Sequence, residues 1–178
     1  MIEYLTDAGI YRRVIQDAIP SAKRFVWIGT SDLKDLYVAK DRRMAPFLGT
    51  LSELAGRGVE LRLAHAKEPG PNFRRDFDRY PNLVERLERM LCPRIHFKTV
   101  VVDGTFAYSG SANLTGAGMG AKGDDTRNFE AGVVTDDRAL IRQIMKQFDD
   151  LWLGAHCTTC QRKRFCAEYQ DILGNRGS

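Results

Sequence analysis

Two strand-length runs joined by Asp103-Gly104 constrain the fold of this chain more than any other feature. Residues 95–102 and 105–109 are rich in β-branched and aromatic residues, and Asp-Gly is a dipeptide that tight β-hairpin turns prefer. Alternation along the first run places His96 and Lys98 on the same face. The sequence therefore predicts an antiparallel hairpin with two ionisable groups projecting together.

Segments of helical and strand periodicity alternate along the rest of the chain, which predicts an α/β sandwich, a mixed β-sheet flanked by helices. With 178 residues, 43% hydrophobic and 28% charged, the chain can bury one ordinary core, so it is neither disordered nor membrane-like. The predicted elements are a helix from an Asp7 cap to Pro20, a strand at 25–28, a helix at 47–54, a strand at 59–63, an irregular connection at 67–81, a helix from Asn82 to Leu91, a strand at 131–135 and a helix from Asp136 or Asp137 to Gly154. We expect a catalytic domain over 1–155 and a Cys-rich tail over 156–178.

Charge and hydropathy restrict the partners and the compartment. The net charge of +4 favours polyanionic partners only mildly. No apolar stretch has the length of a bilayer-spanning helix, and the first ten residues do not have the pattern of a secretory leader. We therefore expect no transmembrane segment and a cytoplasmic location.

Four polar side chains are expected to meet at one end of the hairpin. The loop after its second strand returns beside the start of its first, so Ser111 and Asn113 should lie near His96 and Lys98. Histidine can act as a nucleophile or as a general acid or base, while lysine, serine and asparagine can donate hydrogen bonds to phosphate oxygens. This combination suits a phosphate ester.

The stretch HFKTVVVDGTFAYSGSAN, residues 96–113, resembles the HKD signature of the phospholipase D superfamily. The fixed positions are His96, Lys98, Asp103, Gly110, Ser111 and Asn113. The resemblance implies a phospholipase D-like fold with one HKD motif and metal-independent phosphodiester cleavage. In that chemistry one histidine forms a covalent phosphohistidine and a second histidine protonates the leaving oxygen.

The resemblance also implies a role for each residue of the site. His96 would be the nucleophile or the acid, Lys98 and Asn113 would bind the phosphate, and Ser111 would hydrogen-bond within the site. Asp103, together with Glu130 of the NFEAG stretch, would orient and charge-balance the histidine. The Gly-rich loop between Asn113 and Glu130 is longer than expected for the small nucleases of this superfamily.

The chain carries one complete motif, although the chemistry needs two histidines. His65-Ala66-Lys67 has the same opening, but Asn72 stands where the aspartate is needed and no Gly-Ser-x-Asn stretch follows at the required interval. We interpret it as a polar strand end near the rim of the site. The second histidine must then come from another copy of the chain, so we expect a homodimer with one composite site.

Four cysteines form a separate candidate site. Cys157, Cys160 and Cys166 lie within ten residues, and Cys92 precedes the strand that carries Lys98. In a reducing compartment such a set favours metal ligands over disulfides. We predict a structural Zn²⁺ at these four residues that clamps the tail to the domain, with His156 as a substitute ligand. An iron-sulfur cluster and free thiols are the alternatives.

The function expected from these features is a dimeric nuclease that cleaves DNA or RNA through a phosphohistidine and needs no catalytic cofactor. The short chain and the absence of a membrane-binding amphipathic helix favour nucleic acid over phospholipid. Two alternatives remain: a phospholipase D-type lipid phosphodiesterase or transphosphatidylase, and a non-catalytic nucleic-acid-binding module.

Overall fold

A mixed β-sheet of seven strands forms the centre of the protein. The structure is a computed structural model and describes residues 1–34, 36–40 and 43–166. In these ranges the strands are β1 Ile2–Thr6, β2 Phe25–Thr30, β3 Tyr37–Lys40, β4 Arg43–Pro46, β5 Glu60–His65, β6 Leu87–Leu91, β7 Lys98–Val102, β8 Phe106–Gly110 and β9 Ala131–Thr135. The order in the central sheet is β1-β9-β8-β7-β2-β5-β6, while β3 and β4 form a separate antiparallel pair.

Helices cover both faces of this sheet. They are α1, which is helical through Ala8–Ile10, Tyr11–Ala18 and Ile19–Ser21, α2 Phe47–Gly56, α3 Pro71–Phe77, α4 Asn82–Arg86 and α5 Arg138–Trp152. The middle part of α1 has wider, π-type turns. Within the described ranges no helix is both long enough and apolar enough to cross a bilayer.

Two apolar cores pack against opposite faces of the sheet. The larger contains Ile10 and Ile15 of α1 and Leu51 and Leu54 of α2. The smaller lies under α5, where Phe148 stacks on Trp27 of β2 and on Trp152 with ring centroids 5.2 and 5.6 Å apart. Helices on both faces of a mixed sheet confirm the α/β sandwich predicted from the sequence.

The strand directions gather several chain ends at one end of the sheet. Strand β2 pairs in parallel with β5, and β5 pairs in parallel with β6, whereas β7, β8, β9 and β1 continue the sheet antiparallel to one another. Strands β2, β5, β6 and β8 finish at this end, at Thr30, His65, Leu91 and Gly110, and β7 and β9 begin there, at Lys98 and Ala131. We call it the upper end of the sheet.

The sequence prediction was wrong in four places, one of them the stretch before α2, where β3 and β4 form and no element was predicted. The helix expected from Asn82 to Leu91 ends at Arg86, and Leu87–Leu91 forms β6 at the edge of the sheet. The connection at 67–81 contains α3, and the first residues form β1, which was not predicted. A five-residue edge strand such as β6, with apolar residues at both ends, has the same spacing as one helical turn, so local periodicity could not separate the two.

Candidate active site

His96 and Lys98 lie together at the upper end of the sheet. Lys98 opens β7 and pairs with Gly110 at the end of β8, while the next residue, Thr99, pairs with Gly29 near the end of β2. The Lys98 ammonium donates to the His96 carbonyl oxygen at 2.7 Å and lies 3.3 Å from His96 Nδ1. The predicted sharing of one face is thus observed, although the strand begins only at Lys98.

The two side chains differ in exposure. His96 is exposed, whereas Lys98 is only 8% exposed. Among the described residues no carboxylate forms an ion pair with Lys98, and its hydrogen bonds go to His96 alone. Because a buried cation without a counter-charge is costly, this ammonium is suited to an anion that arrives from outside.

The loop after β2 orients Asn113. Its carboxamide oxygen accepts hydrogen bonds from the backbone amides of Ser31 and Asp32, at 3.2 and 3.1 Å, and from the Ser31 hydroxyl at 2.7 Å. Amides can only donate, so these contacts place the Nδ2 group on the other side of the carboxamide. No described residue accepts from Nδ2, which leaves it available to an anionic ligand.

Sequence reasoning missed Ser31 and Asp32. They lie more than 80 residues from Asn113 in the chain, and only their position after the buried strand β2 could have drawn attention to them.

Ser111 and Glu130 form a second hydrogen-bonded pair. The Ser111 hydroxyl donates to the Glu130 carboxylate and accepts from the Ala131 amide at 3.1 Å, and Asn128 Nδ2 donates to the other Glu130 oxygen at 3.0 Å. Within the described part of the chain no hydrogen bond joins Glu130 to His96. The structure therefore places Glu130 at the site, but its direct contact is with Ser111.

Asp7 does not cap the first helix as predicted. Its side chain makes no capping bond and instead accepts from the Glu130 amide at 2.8 Å, while its φ of 46° lies in the left-handed region. Gly120 of the Gly-rich loop packs against it, because a Cβ there would come within 2.5 Å of the Asp7 carbonyl oxygen. This loop thus joins the start of α1 to the segment that carries Glu130.

Asp103 lies at the opposite end of the hairpin, which contradicts its expected position beside His96. Strand β7 separates them by five residues at about 3.3 Å each, roughly 17 Å in all. Its carboxylate accepts from the backbone amides of Lys23, Arg24 and Phe25 at 2.8–2.9 Å. Burial alone would raise the pKa of Asp103, but these amide bonds lower it below its usual value.

The His65-Ala66-Lys67 stretch lies at the upper end of the sheet, as expected of a polar strand end. His65 is 1% exposed, and its Nδ1 lies 2.8 Å from the Lys67 carbonyl oxygen. A ring so enclosed cannot reach a substrate. Of the three histidines in the chain, His156 lies in the tail after α5, so His96 is the exposed histidine that the structure places at this site.

The predicted metal ligands lie at a neighbouring point of the upper end. Cys92 directly follows β6, and its amide donates to the His65 carbonyl oxygen at 2.9 Å. Cys92, Cys157, Cys160 and Cys166 are all free thiols. Among the residues that the structure describes, no three His, Cys, Asp or Glu side chains are already arranged as metal ligands.

Comparisons with known proteins give the family and the fold of this chain. A family model described as "Cardiolipin synthase, PLD-like domain" matches residues 15–152, whereas no curated protein matches the sequence. Among solved structures, the phospholipase D family member Nuc from Salmonella typhimurium is 18% identical, with a TM-score of 0.58, and the match covers 85% of this chain and 95% of Nuc.

Two further structures are similar. NucT from Helicobacter pylori is 16% identical, with a TM-score of 0.58 and coverage of 84% of this chain and 95% of NucT. TrmBL2, an archaeal chromatin protein with a novel mode of DNA binding, is 12% identical, with a TM-score of 0.57, and the match covers 86% of this chain and 52% of TrmBL2. The family match spans more than half of the chain, and the sheet has the same fold as these structures. This protein therefore belongs to the phospholipase D superfamily of hydrolases that act on phosphodiester bonds.

Proposed function

We propose that the protein is a nuclease that cleaves phosphodiester bonds of DNA or RNA as a homodimer, through a phosphohistidine intermediate and without a catalytic metal. We place it in the cytoplasm, a reducing compartment that suits its four free thiols. His96 acts as nucleophile or acid, Lys98 and Asn113 bind the phosphate, and Ser111 and Glu130 hold the loop that carries Asn113.

The observation that carries this proposal is the unpaired ammonium of Lys98. It is nearly buried, has no carboxylate partner among the described residues, and lies 3.3 Å from the ring of an exposed histidine. The free Nδ2 of Asn113 adds a neutral donor at the same end of the sheet. A cation and a neutral donor beside a nucleophile match the needs of an anionic phosphoryl group.

The need for a second histidine supports the homodimer. His65 is enclosed, so each chain offers one usable histidine at this end of the sheet. A two-fold axis that brings the upper ends of two chains together supplies the other. The match to Nuc and NucT covers 95% of each of their chains.

The reaction then runs in two displacements. In the first, the unprotonated ring nitrogen of His96 in one subunit attacks phosphorus and forms a P–N bond, while the leaving oxygen takes a proton from the partner subunit's His96. In the second, that same partner histidine removes a proton from water, and the hydroxide displaces His96 and breaks the P–N bond. The partner histidine thus regains the proton that it gave to the leaving oxygen. Lys98 stabilises the charge on the phosphoryl oxygens in both steps.

The surroundings of the site favour nucleic acid as the substrate. An open cleft of about 330 Å³ lies next to the loop that binds Asn113. Its charged lining residues are Lys34, Lys67, Asp32 and Glu68, and Lys34 is paired with Asp32, so the cleft carries no net charge and provides room for a substrate. Phe129, next to Glu130, is 94% exposed and offers a ring on which a base can stack. The similarity to the DNA-binding TrmBL2 supports the same choice.

A lipid phosphodiester is the second candidate substrate, because the matching family is described by cardiolipin synthase. The site chemistry would be the same, since both substrates present a phosphodiester to the histidine.

One assay tests the function. Labelled single-stranded DNA, duplex DNA, RNA and phospholipid vesicles are incubated with the protein, with and without EDTA. We expect nucleic acid to be cut in both conditions, and His96→Asn to abolish cleavage with unchanged circular dichroism. His156→Asn, which changes an exposed histidine in the tail, is the matched control and should keep full activity.

Three other outcomes of this assay would contradict the proposed nuclease or its mechanism. Release of lipid head groups without cleavage of nucleic acid would show the lipid enzyme. Salt-sensitive binding of DNA or RNA without turnover would show the binding module. Cleavage by wild type without a substrate fragment attached to His96 in alkali-quenched samples would exclude the phosphohistidine.

A further inference from the structure

The C-terminal tail folds back onto the segment that leads to His96. Cys166 Sγ lies 4.0 Å from the Leu91 carbonyl oxygen, and the Arg94 side chain lies close to Cys160. Leu91 and Arg94 flank Cys92 closely in the chain. Two of the three tail cysteines therefore contact residues on either side of the fourth cysteine.

Backbone turns order the segment that carries Cys157 and Cys160. The Cys157 amide donates to the Gly154 carbonyl oxygen at 2.9 Å, and the Cys160 amide donates to the Cys157 carbonyl oxygen at 3.2 Å. The Arg162 amide then donates to Cys160 Sγ at 3.4 Å. This bond fixes the position of the Cys160 sulfur within the turn.

The tail has little apolar packing of its own. Its regular structure between Leu153 and Cys166 is limited to a short 3₁₀ turn at Lys163–Phe165. Among the described residues of this stretch, the large apolar side chains Leu153 and Phe165 are 79% and 51% exposed. A segment that buries so little apolar surface needs another source of order, and small metal sites supply one.

We infer that Cys92, Cys157, Cys160 and Cys166 bind one structural Zn²⁺ that fastens the tail to the segment before His96. Four thiolates satisfy tetrahedral zinc, and the four thiol protons pass to solvent on binding. Arg94 and Lys163 lie near Cys160 and offset part of the negative charge that four thiolates leave on the site. The thiols are exposed or half-buried, so their side chains can rotate into a coordination shell that is not already formed.

This site bears on His96 through a short rigid connection. The Ile95 amide donates to the Cys92 carbonyl oxygen at 3.0 Å, and Ile95 is 3% exposed in the core under α5. A metal bound at Cys92 therefore restrains the residues that immediately precede His96. Its role is to position the histidine, and the cleavage chemistry does not pass through it.

Metal analysis of the untagged full chain tests this inference independently of any nuclease activity. We expect one zinc per chain after gel filtration. Replacement by Co²⁺ should give a thiolate-to-cobalt charge-transfer band in the near ultraviolet. Cys160→Ser should lose the stoichiometric zinc, whereas Thr159→Ser, a matched change in the same loop, should keep it.

Each alternative has its own signature. Reduced protein without zinc that binds neither Zn²⁺ nor Co²⁺ in titration overturns the inference. A visible absorbance with iron and sulfide in equal amounts shows a cluster instead, and a mass lower by two hydrogens shows a disulfide. Loss of zinc in His156→Ala, with four free thiols in wild type, would show that the ligand set is wrong.

Discussion

Lys98 combines two properties that rarely occur in one side chain, since it is nearly buried and has no carboxylate partner among the described residues. Its two contacts are with atoms of His96, so the residue is held where an anion would meet both groups. Burial of the uncompensated ammonium costs folding free energy. A cation in this position can bind an anionic ligand, but it does not stabilise the fold.

Lys98→Met should therefore separate activity from stability. The substitution keeps the length of the side chain and removes the charge, so we expect kcat/KM for the cleaved substrate to fall about 100-fold or more, as for other lost oxyanion contacts. The melting temperature should stay the same or rise. Lys146→Met, which removes a surface lysine paired with Asp150, is the matched control and should keep activity. A lower melting temperature with full activity would mean that Lys98 is structural.

Asp103 shows how one element, the β7–β8 hairpin, is joined to its neighbour. Its carboxylate binds three consecutive backbone amides at the start of β2, and both turn residues have positive φ, 55° at Asp103 and 69° at Gly104. The signature aspartate thus holds the hairpin against β2. It acts far from the histidine with which it shares a motif.

Asp103→Asn should lower stability in a pH-dependent way without removing catalysis. Since folding lowers the pKa of Asp103, its carboxylate stabilises the native state at pH values above the usual 3.8. This stabilisation is lost as the pH falls through the folded-state pKa. We expect wild type to melt above the variant at neutral pH, and the gap to close on acidification below the usual value. A gap that is constant with pH, or an inactive but fully folded variant, would contradict this role.

Glycines let strands β8 and β9 close around a buried tyrosine. Tyr108 is fully buried, its hydroxyl accepts from the Ala112 amide at 3.3 Å, and burial raises the pKa of Tyr108 to about 12. A Cβ at Gly132 would lie 2.5 Å from the Tyr108 ring. The close approach of the two strands therefore depends on the absence of this side chain.

Gly132→Ala should destabilise the protein by about 1–3 kcal/mol, the usual cost of overpacking, and should weaken the loop that carries Asn113. Gly123→Ala is the matched control, because a Cβ there meets no atom within 4 Å and the backbone φ is not positive. Urea unfolding of the two variants measures the difference. Equal midpoints would show that Tyr108 can move aside at little cost.

The β7–β8 hairpin could be predicted from neighbouring residues, whereas the hydrogen-bond partners of the site residues and strand β6 depend on contacts between distant parts of the chain. The Asp-Gly turn was predictable because positive φ is a property of the residues themselves. The partners of Asn113 at Ser31 and Asp32, and that of Glu130 at Asp7, depend on strand order across the sheet. Strand β6 was missed for the same reason, because only its parallel pairing with β5 distinguishes it from a helix.

For the whole molecule, the decisive question is whether two chains share one site. Wild-type and His96→Asn subunits, mixed in equal amounts and allowed to exchange, test this. If both histidines are required, only dimers of two wild-type subunits cut. The activity of the mixture should then be about a quarter of that of the same total amount of wild-type protein. If each subunit worked alone, about half would remain. Native mass spectrometry of the mixture confirms that exchange is complete.

The layered packing under α5 has one practical consequence. The chain contains two tryptophans, and both lie in this layer: Trp27 on β2, and Trp152 at the end of α5, directly before the tail. The Arg62 guanidinium lies between them, 5.2 and 5.3 Å from the two rings. Tryptophan fluorescence therefore reports on one face of the sheet only, and it can follow loosening of α5 or of the tail without a tryptophan signal from the opposite face.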